Sequence, residues 1–538
     1  MTRALLALAL LAVAGGGRAQ TVETDDGPAT LLPAGALNGV AVLDADGGVL
    51  RAGPILVQIA PDGAVSVPGL DPAFDPVTTV NARVFALDAR EGVVVAALGY
   101  NDVTADADQP PPTAAGFAVS VDRGASYTYL GPALDQSRDS TVTYGVSTLP
   151  AFPTTIAQGS APLDVALTAG ADTIYSANLL AGLRRSTDGG ATWTPVVTPP
   201  DSLLVLDPRE SYDFPYTPDL RQPLGFIDGD PDRPVFPFAS TNFVAYSVLV
   251  DEAGTVWAGM GGGLNRSVRL PGAADPAWLR YIDLPVGGTI PSNQVYALEA
   301  RPREGRDHVW AACWVPEDSG GEQEFGVSVW RGDDADGAAI FETVLLGVRV
   351  YDLAFDDLRA YAASDDGLYV SGDDGATWRV VRTFRAADGR PLPLDGPATR
   401  AVATTPGTVW VGTPGGLLRS TDGAQTWELF RANVAPGAAG EGDRPVEVYA
   451  YPNPYNPRRD GRLRVRLDLA APADVTVRIF DVGMNLVRTL EAPGRPAGPN
   501  EVFWDGQSDG GLRVANGAYI YTVGAGDQAL SGRILVIQ

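Results

Sequence analysis

The chain has 538 residues, with 39 Lys plus Arg against 65 Asp plus Glu, one His, one Cys, 63 Gly and 44 Pro. No Lys occurs, and a formal charge of −26 gives a surface that repels phosphate backbones and anionic lipids, which argues against nucleic acid as a partner. One His and one Cys leave too few ligands for zinc or iron–sulfur sites and no internal disulfide, while the Gly and Pro content suits a turn-rich β protein.

At the N-terminus, Thr2 and Arg3 precede an apolar run from Ala4 to Ala14, followed by Gly15, Gly16, Gly17, Arg18 and Ala19. A basic start, an apolar stretch too short for a bilayer and small residues at the cut predict a signal peptide over 1–19. Its removal takes Arg3 and Arg18 away, so the mature charge becomes 37 minus 65, or −28. The expected location is extracellular or on the outer cell surface, reached through the periplasm, with no integral membrane segment.

Self-similarity organises residues 33–432. Thr255-Val256-Trp257-Ala258-Gly259 leads to Gly263-Leu264-Asn265-Arg266-Ser267, and Thr408-Val409-Trp410-Val411-Gly412 leads to Gly416-Leu417-Leu418-Arg419-Ser420. Looser copies place the same Gly at Gly116, Gly182, Gly326 and Gly367, with a weak first copy through Gly53. Upstream, Val84-Phe85-Ala86-Leu87, Val295-Tyr296-Ala297-Leu298 and Val350-Tyr351-Asp352-Leu353 form a second repeated stretch. The Gly spacings of 63, 66, 81, 63, 41 and 49 fit a four-strand unit with loop insertions, the blade of a β-propeller. The fold class is therefore all-β: a propeller of seven blades, or six without the weak first copy, followed by a small Ig-like β-sandwich.

Four copies continue into a second motif. Ser186, Asp188, Gly190, Thr192 and Trp193 stand in STDGGATW; Ser371, Asp373, Gly375, Thr377 and Trp378 in SGDDGATW; Ser420, Asp422, Thr426 and Trp427 in STDGAQTW. The last has Ala424 in place of Gly, and the degenerate Ser120–Tyr127 has Ser126 and Tyr127 in place of Thr-Trp. These resemble the Asp box, or BNR repeat, of sialidases and other Asp-box propellers. Asp at such a turn accepts backbone N–H bonds, Gly takes a positive φ and Trp packs between blades. The resemblance implies a structural hairpin, not a catalytic group. Val409 to Leu417 is also similar to ligand-sensing propellers of two-component regulators, which supports the propeller without carrying over signalling.

Periodicity stops near Arg431, and 433–445 is expected to be a linker. From 446 to 538, alternating strands follow Tyr451-Pro452-Asn453-Pro454, with a Trp504-Asp505-Gly506 turn, Asn516-Gly517-Ala518-Tyr519 opening a late strand, and a strand at the end. This segment resembles the Ig-like domain of flagellar hook-capping proteins and the C-terminal sorting domain of type IX secretion cargo. The second resemblance implies recognition by the type IX secretion machinery and delivery to the cell surface. Sorting domains commonly end in Lys-rich strands, whereas only Arg533 stands near this end.

Candidate chemistry is sparse. No Arg-Ile-Pro motif accompanies the Asp boxes, so a sialidase-like glycoside hydrolase is the alternative and not the first choice. His308 and Cys313 are five residues apart on one expected strand and would face opposite sides, which argues against a dyad. Asp228, Asp230 and Asp232, and Asp333, Asp334 and Asp336, suit calcium chemistry, but Arg233 stands where a calcium loop wants Gly after the first set, and neither set has Glu at the twelfth position. No catalytic, cofactor-binding or metal residues are assigned, and calcium is the one ion these sets suit. The insertion Pro199–Ser240 carries Tyr212, Phe214, Tyr216, Phe226, Phe236 and Phe238, either to bind a ligand or to cover the blade sides. The expected function is a secreted, non-enzymatic propeller that binds an unidentified glycan or protein and is exported through its C-terminal domain.

Overall fold

The structure, a computed structural model, describes strands at 19–21, 31–33, 43–46, 49–52, 57–59, 65–66 and 69–70, then 83–100, 112–218, 225–226, 234–235, 240–283, 289–303, 306–315, 323–430 and 448–537, without residues 393, 395, 454, 459, 470, 482–483 and 526–527. Residues 1–18, the expected linker 433–445, Gly53 and Pro454 thus lie outside the described residues.

Among the described residues, seven sheets of four or five strands precede residue 431, apart from three two-stranded ones, and within each of the seven the consecutive strands pair antiparallel. Their first strands are Leu43–Asp46, Arg83–Arg90, Pro162–Leu167, Ala245–Val250, Gln294–Arg303, Val350–Phe355 and Ala401–Thr405. Each first strand packs beside that of the next sheet, and the last packs back against the first, so the sheets close into a ring. This is a β-propeller, and its all-β character follows from the sequence: central strands such as Val309-Trp310-Ala311-Ala312-Cys313 are buried on both faces and written as unbroken apolar runs.

The recurring glycine is explained at the third strand, which starts with it in five of the sheets, at Gly182, Gly263, Gly326, Gly367 and Gly416. Gly263 and Gly367 sit at φ 140° and 129°, and a Cβ there would run into the carbonyls of Tyr281 and Val381 on the outer strand. Gly326 holds the same place without a positive φ.

Between sheets the core is aromatic. Trp257 and Trp330 lie 4.9 Å apart, with the Arg266 guanidinium 5.4 Å from one ring and 4.4 Å from the other and ion-paired to Asp333 at 2.7 Å.

Residues 448–537 form two facing antiparallel sheets. One pairs Val448–Tyr451, Leu463–Leu469 and Gly498–Trp504; the other pairs Leu486–Arg495, Ala473–Phe480, Gly517–Ala525 and Gln528–Val536. Val465, Leu467, Val475, Val477, Trp504, Tyr521 and Ile534 fill the space between them, as period-two alternation requires. This sandwich touches the ring where Arg464 donates to the Pro414 carbonyl at 2.9 Å. Among the described residues, no helix is long and apolar enough to cross a membrane.

Candidate functional site

Strand polarity decides which side chains meet. First strands start, and second strands end, on the same face of the ring, so Tyr246, Tyr296 and Tyr351, each the second or third residue of a first strand, share that face with Trp314, the last of a second strand. Tyr296 stacks face to face on Trp314 at 3.8 Å and 8°, and on Tyr246 at 4.9 Å and 19°. Tyr351 meets Trp314 edge-on at 5.0 Å, and the indole N–H of Trp314 donates to the Val350 carbonyl at 2.7 Å. Four aromatics from three sheets form one rigid band.

Two arginines extend the band. Arg349 lies between Trp314 and Phe325, 5.2 Å and 4.8 Å from their centroids. Arg400, just before the seventh sheet's first strand, stacks on Tyr351 at 4.2 Å and pairs with Asp365 at 2.6 Å. The Tyr351 hydroxyl donates to Asp365 at 3.0 Å, while Arg349 stands 3.8 Å from that carboxylate. Two guanidiniums for one close carboxylate make a locally positive spot on a chain of charge −26. Burial raises the Tyr351 phenol, lifts Tyr296 well above its ordinary value and pushes Tyr246 up to about 12. All three therefore stay protonated hydrogen-bond donors at neutral pH.

Deeper on the innermost strands, carboxylates tie sheet to sheet. Asp88 accepts the Leu167 N–H at 2.6 Å, Asp164 that of Val248 at 2.9 Å and Asp352 that of Val402 at 2.8 Å, each reaching the next first strand. Burial pushes Asp164 up to about 8, helped by the charges of Asp88 and Asp352, and Asp352 up to about 7. Asp164 thus feels the other two across the ring.

The residues singled out from the repeat motif lie at the opposite end of the sheets. The Asp188 carboxylate accepts the Thr192 N–H at 2.9 Å and its hydroxyl at 2.6 Å, while the Ser186 hydroxyl donates to Asp188 at 2.8 Å and accepts the Gly190 N–H at 2.8 Å. Ser371, Asp373, Gly375 and Thr377 repeat the arrangement, as do Ser420, Asp422 and Thr426, with Ala424 holding the Gly place at φ 67°. Asp122 does the same with Ser126. Hydrogen bonds led by those from Ser126 and Thr192 hold Asp122 and Asp188 at about 2; at Asp422 burial opposes, but the bonds from Thr426 and Ser420 win and keep it at about 2. Trp193 reaches back to Phe117 at 4.6 Å, Trp378 to Trp310 at 6.3 Å and Trp427 to Phe384 at 5.2 Å, each on or beside the preceding sheet. These turns are joints between sheets.

The C-terminal motif is likewise structural. Asn453 bonds the final strand, Trp504 donates to the Gln507 carbonyl at 2.8 Å, and the Asp505 carboxylate accepts the Gln507 N–H at 3.0 Å. A Cβ at Gly506, φ 73°, would press on Pro457, and the Tyr519 hydroxyl donates to the Ala515 carbonyl at 2.9 Å beyond Gly517. Pro452 joins Tyr451 through a cis peptide bond.

Cys313 is buried, its thiol pushed up to about 12 by burial, and His308 stands beside Arg331 at 3.2 Å, its imidazole lowered by burial. Asp333 is taken by Arg266 and Asp334 by the N–H groups of Asp336 and Ala338; Asp228, Asp230 and Asp232 lie outside the described residues. Tyr216 and Phe214 pack on Phe243 at 4.9 and 6.2 Å, so this part of the insertion covers the sheets; the side chains of Phe226, Phe236 and Phe238 lie outside the described residues. The aromatic band was missed from sequence, although its signal is there: an aromatic stands second in Val84-Phe85, Val295-Tyr296 and Val350-Tyr351.

Residues 456–529 match the FlgD Ig-like domain family. No curated protein matches the chain. Among solved structures, PorZ, a surface component of the type-IX secretion system of Porphyromonas gingivalis, is 15% identical over 93% of this chain and 66% of its own, with a TM-score of 0.39. The chain thus spans just under two thirds of the length of PorZ. YCF48 from Cyanidioschyzon merolae is 16% identical over 74% of this chain and 98% of its own, TM-score 0.40. The extracellular domain of the hybrid two component system BT3049 from B. thetaiotaomicron is 8% identical over 91% and 77%, TM-score 0.31.

Proposed function

We propose that this chain is an exported, non-enzymatic β-propeller of seven blades, of the Asp-box kind, that binds a glycan or protein partner at the aromatic face. The observation that carries the reading is the band Tyr246–Tyr296–Trp314–Tyr351 with Arg349 and Arg400 at its end. Planar rings held by one another lose little entropy on binding, and a guanidinium stacked on an indole keeps N–H donors aimed at a ligand. The test is a glycan and peptide array probed with the full chain, Tyr296→Ala and Arg349→Ala. Loss of captured ligands in both variants, with melting temperature retained by Arg349→Ala, supports the reading; unchanged capture overturns it.

Export rests on the proposed division into a signal peptide at 1–19, a propeller at 33–432, a linker at 433–445 and a sorting domain at 446–538 that the type IX machinery recognises. The family match at 456–529 supports the Ig-like part of this division. Deleting 446–538 is expected to strand the propeller in the periplasm, and normal surface delivery of the truncated chain would refute that role. Glycoside hydrolysis is not favoured: Asp365 engages both Arg400 and Tyr351, so the arginine, tyrosine and acid that such chemistry draws on are tied up in one another.

A further inference from the structure

Two successive connections carry long insertions, 131–161 between the second and third sheets and 196–244 between the third and fourth. Their described parts are welded together. The Pro150 carbonyl accepts the Tyr216 N–H at 2.8 Å, the Tyr216 carbonyl that of Phe152 at 3.2 Å, and the Pro208 carbonyl that of Val146 at 3.0 Å. Arg184, its side chain 1% exposed, forks onto Asp135 at 2.5 and 2.8 Å, and Asp135 also accepts the Thr154 N–H at 2.8 Å. Such a buried fork fixes the first insertion on the third sheet and neutralises Asp135.

Between the weld and the Ser186–Trp193 hairpin lies a cavity of about 480 Å³ on the outer wall of the ring. Its apolar wall is Trp193, Phe152 and Pro153; its polar wall is Gln136, Asp139 and Thr192. Trp193 is held from behind by Phe117, 4.6 Å away at 28°, so the ring does not need to be ordered by a ligand. Among the described residues, no arginine or histidine lines the cavity, and with Asp139 on the wall of an acidic chain an anion is repelled. One aromatic wall facing one wall of amide, carboxylate and hydroxyl matches a neutral pyranose, whose C–H face packs on rings while its hydroxyls donate to oxygen acceptors. The volume lies within the range of small-molecule sites.

We propose that this cavity binds one neutral pyranose unit of a glycan, independently of the aromatic face. The test titrates the full chain with neutral pentasaccharides of glucose, xylose, mannose and N-acetylglucosamine, and separately with an arginine-rich peptide, following heat and Trp fluorescence. At least one pentasaccharide is expected to saturate, with affinity falling about tenfold or more in Gln136→Ala and in Asp139→Ala. Gln136 is exposed, so Gln136→Ala should melt as the parent does, while Asp139→Ala also removes the bond its carboxylate accepts from the Gln136 N–H at 2.8 Å and is read beside Asp139→Asn, which keeps an acceptor there. Absence of saturable binding by every pentasaccharide, binding by the peptide alone, or sugar binding unaffected by the two wall variants overturns the proposal. Loss in Arg349→Ala alone assigns the sugar to the aromatic face and overturns it too.

Discussion

Asn453 holds the edge of the last strand: its side-chain oxygen accepts the Leu535 N–H at 2.8 Å and its amide donates to the Arg533 carbonyl at 2.9 Å. Tyr455 continues the pairing, donating its N–H to the Leu535 carbonyl at 2.7 Å and accepting that of Ile537 at 2.9 Å. A motif 80 residues upstream thus covers an edge that would otherwise present unpaired N–H and C=O groups. Asn453→Ala removes both side-chain bonds and is expected to cost the sandwich about 1–2 kcal/mol. Thermal melting would register it as a lower C-terminal transition with the propeller transition unmoved, and light scattering as a greater tendency to associate.

The carboxylates of the ring set an alkaline limit. Because Asp164 is pushed up to about 8 and Asp352 up to about 7 from the ordinary 3.8, the folded chain holds more protons than the unfolded one between those values. Their stabilising contribution is complete below about pH 4 and is lost as pH rises to 8. Asp164→Asn is expected to flatten the fall in melting temperature between pH 5 and pH 8; an unchanged slope would count against the assignment.

The hairpin acids act in the opposite direction. Asp122, Asp188 and Asp422 titrate near 2 in the folded chain, so what they contribute is present above about pH 4 and lost as pH falls through 2. Asp188→Asn should weaken the joint between the second and third sheets and reduce the loss of stability on acidification, measured by urea midpoints at pH 3 and pH 6.

Gly367→Ala tests the repeat glycine. With φ at 129° and the Val381 carbonyl in the path of the new methyl, the outer strand must shift, and a loss of roughly 3 kcal/mol is expected in urea unfolding. Gly389, at φ 83° with open space around it, should lose less on the same change, since only its backbone is strained.

The contrast between motif and site shows what each level carries. Trp257, Gly263, Asp188 and Asn453 were visible in sequence because their roles are local: a strand core, a turn, a hairpin and an edge are each set by neighbours along the chain, and repetition or spacing exposes them. Tyr296, Trp314, Tyr351, Arg349 and Arg400 recur only as members of strands, and nothing in their spacing says that three successive sheets place them on one face.

The sequence by itself determined the all-β class, the four-strand repeat and the sandwich after it, because alternation, positive-φ glycines and turn acids act over a few residues. Only the tertiary structure decided which residues assemble: ring closure aligns the starts of first strands from separate sheets, and the weld of two insertions encloses a cavity lined from Gly131 to Tyr216, residues far apart in the chain. Such contacts depend on the angle and register between sheets, which side-chain packing sets and no local pattern encodes.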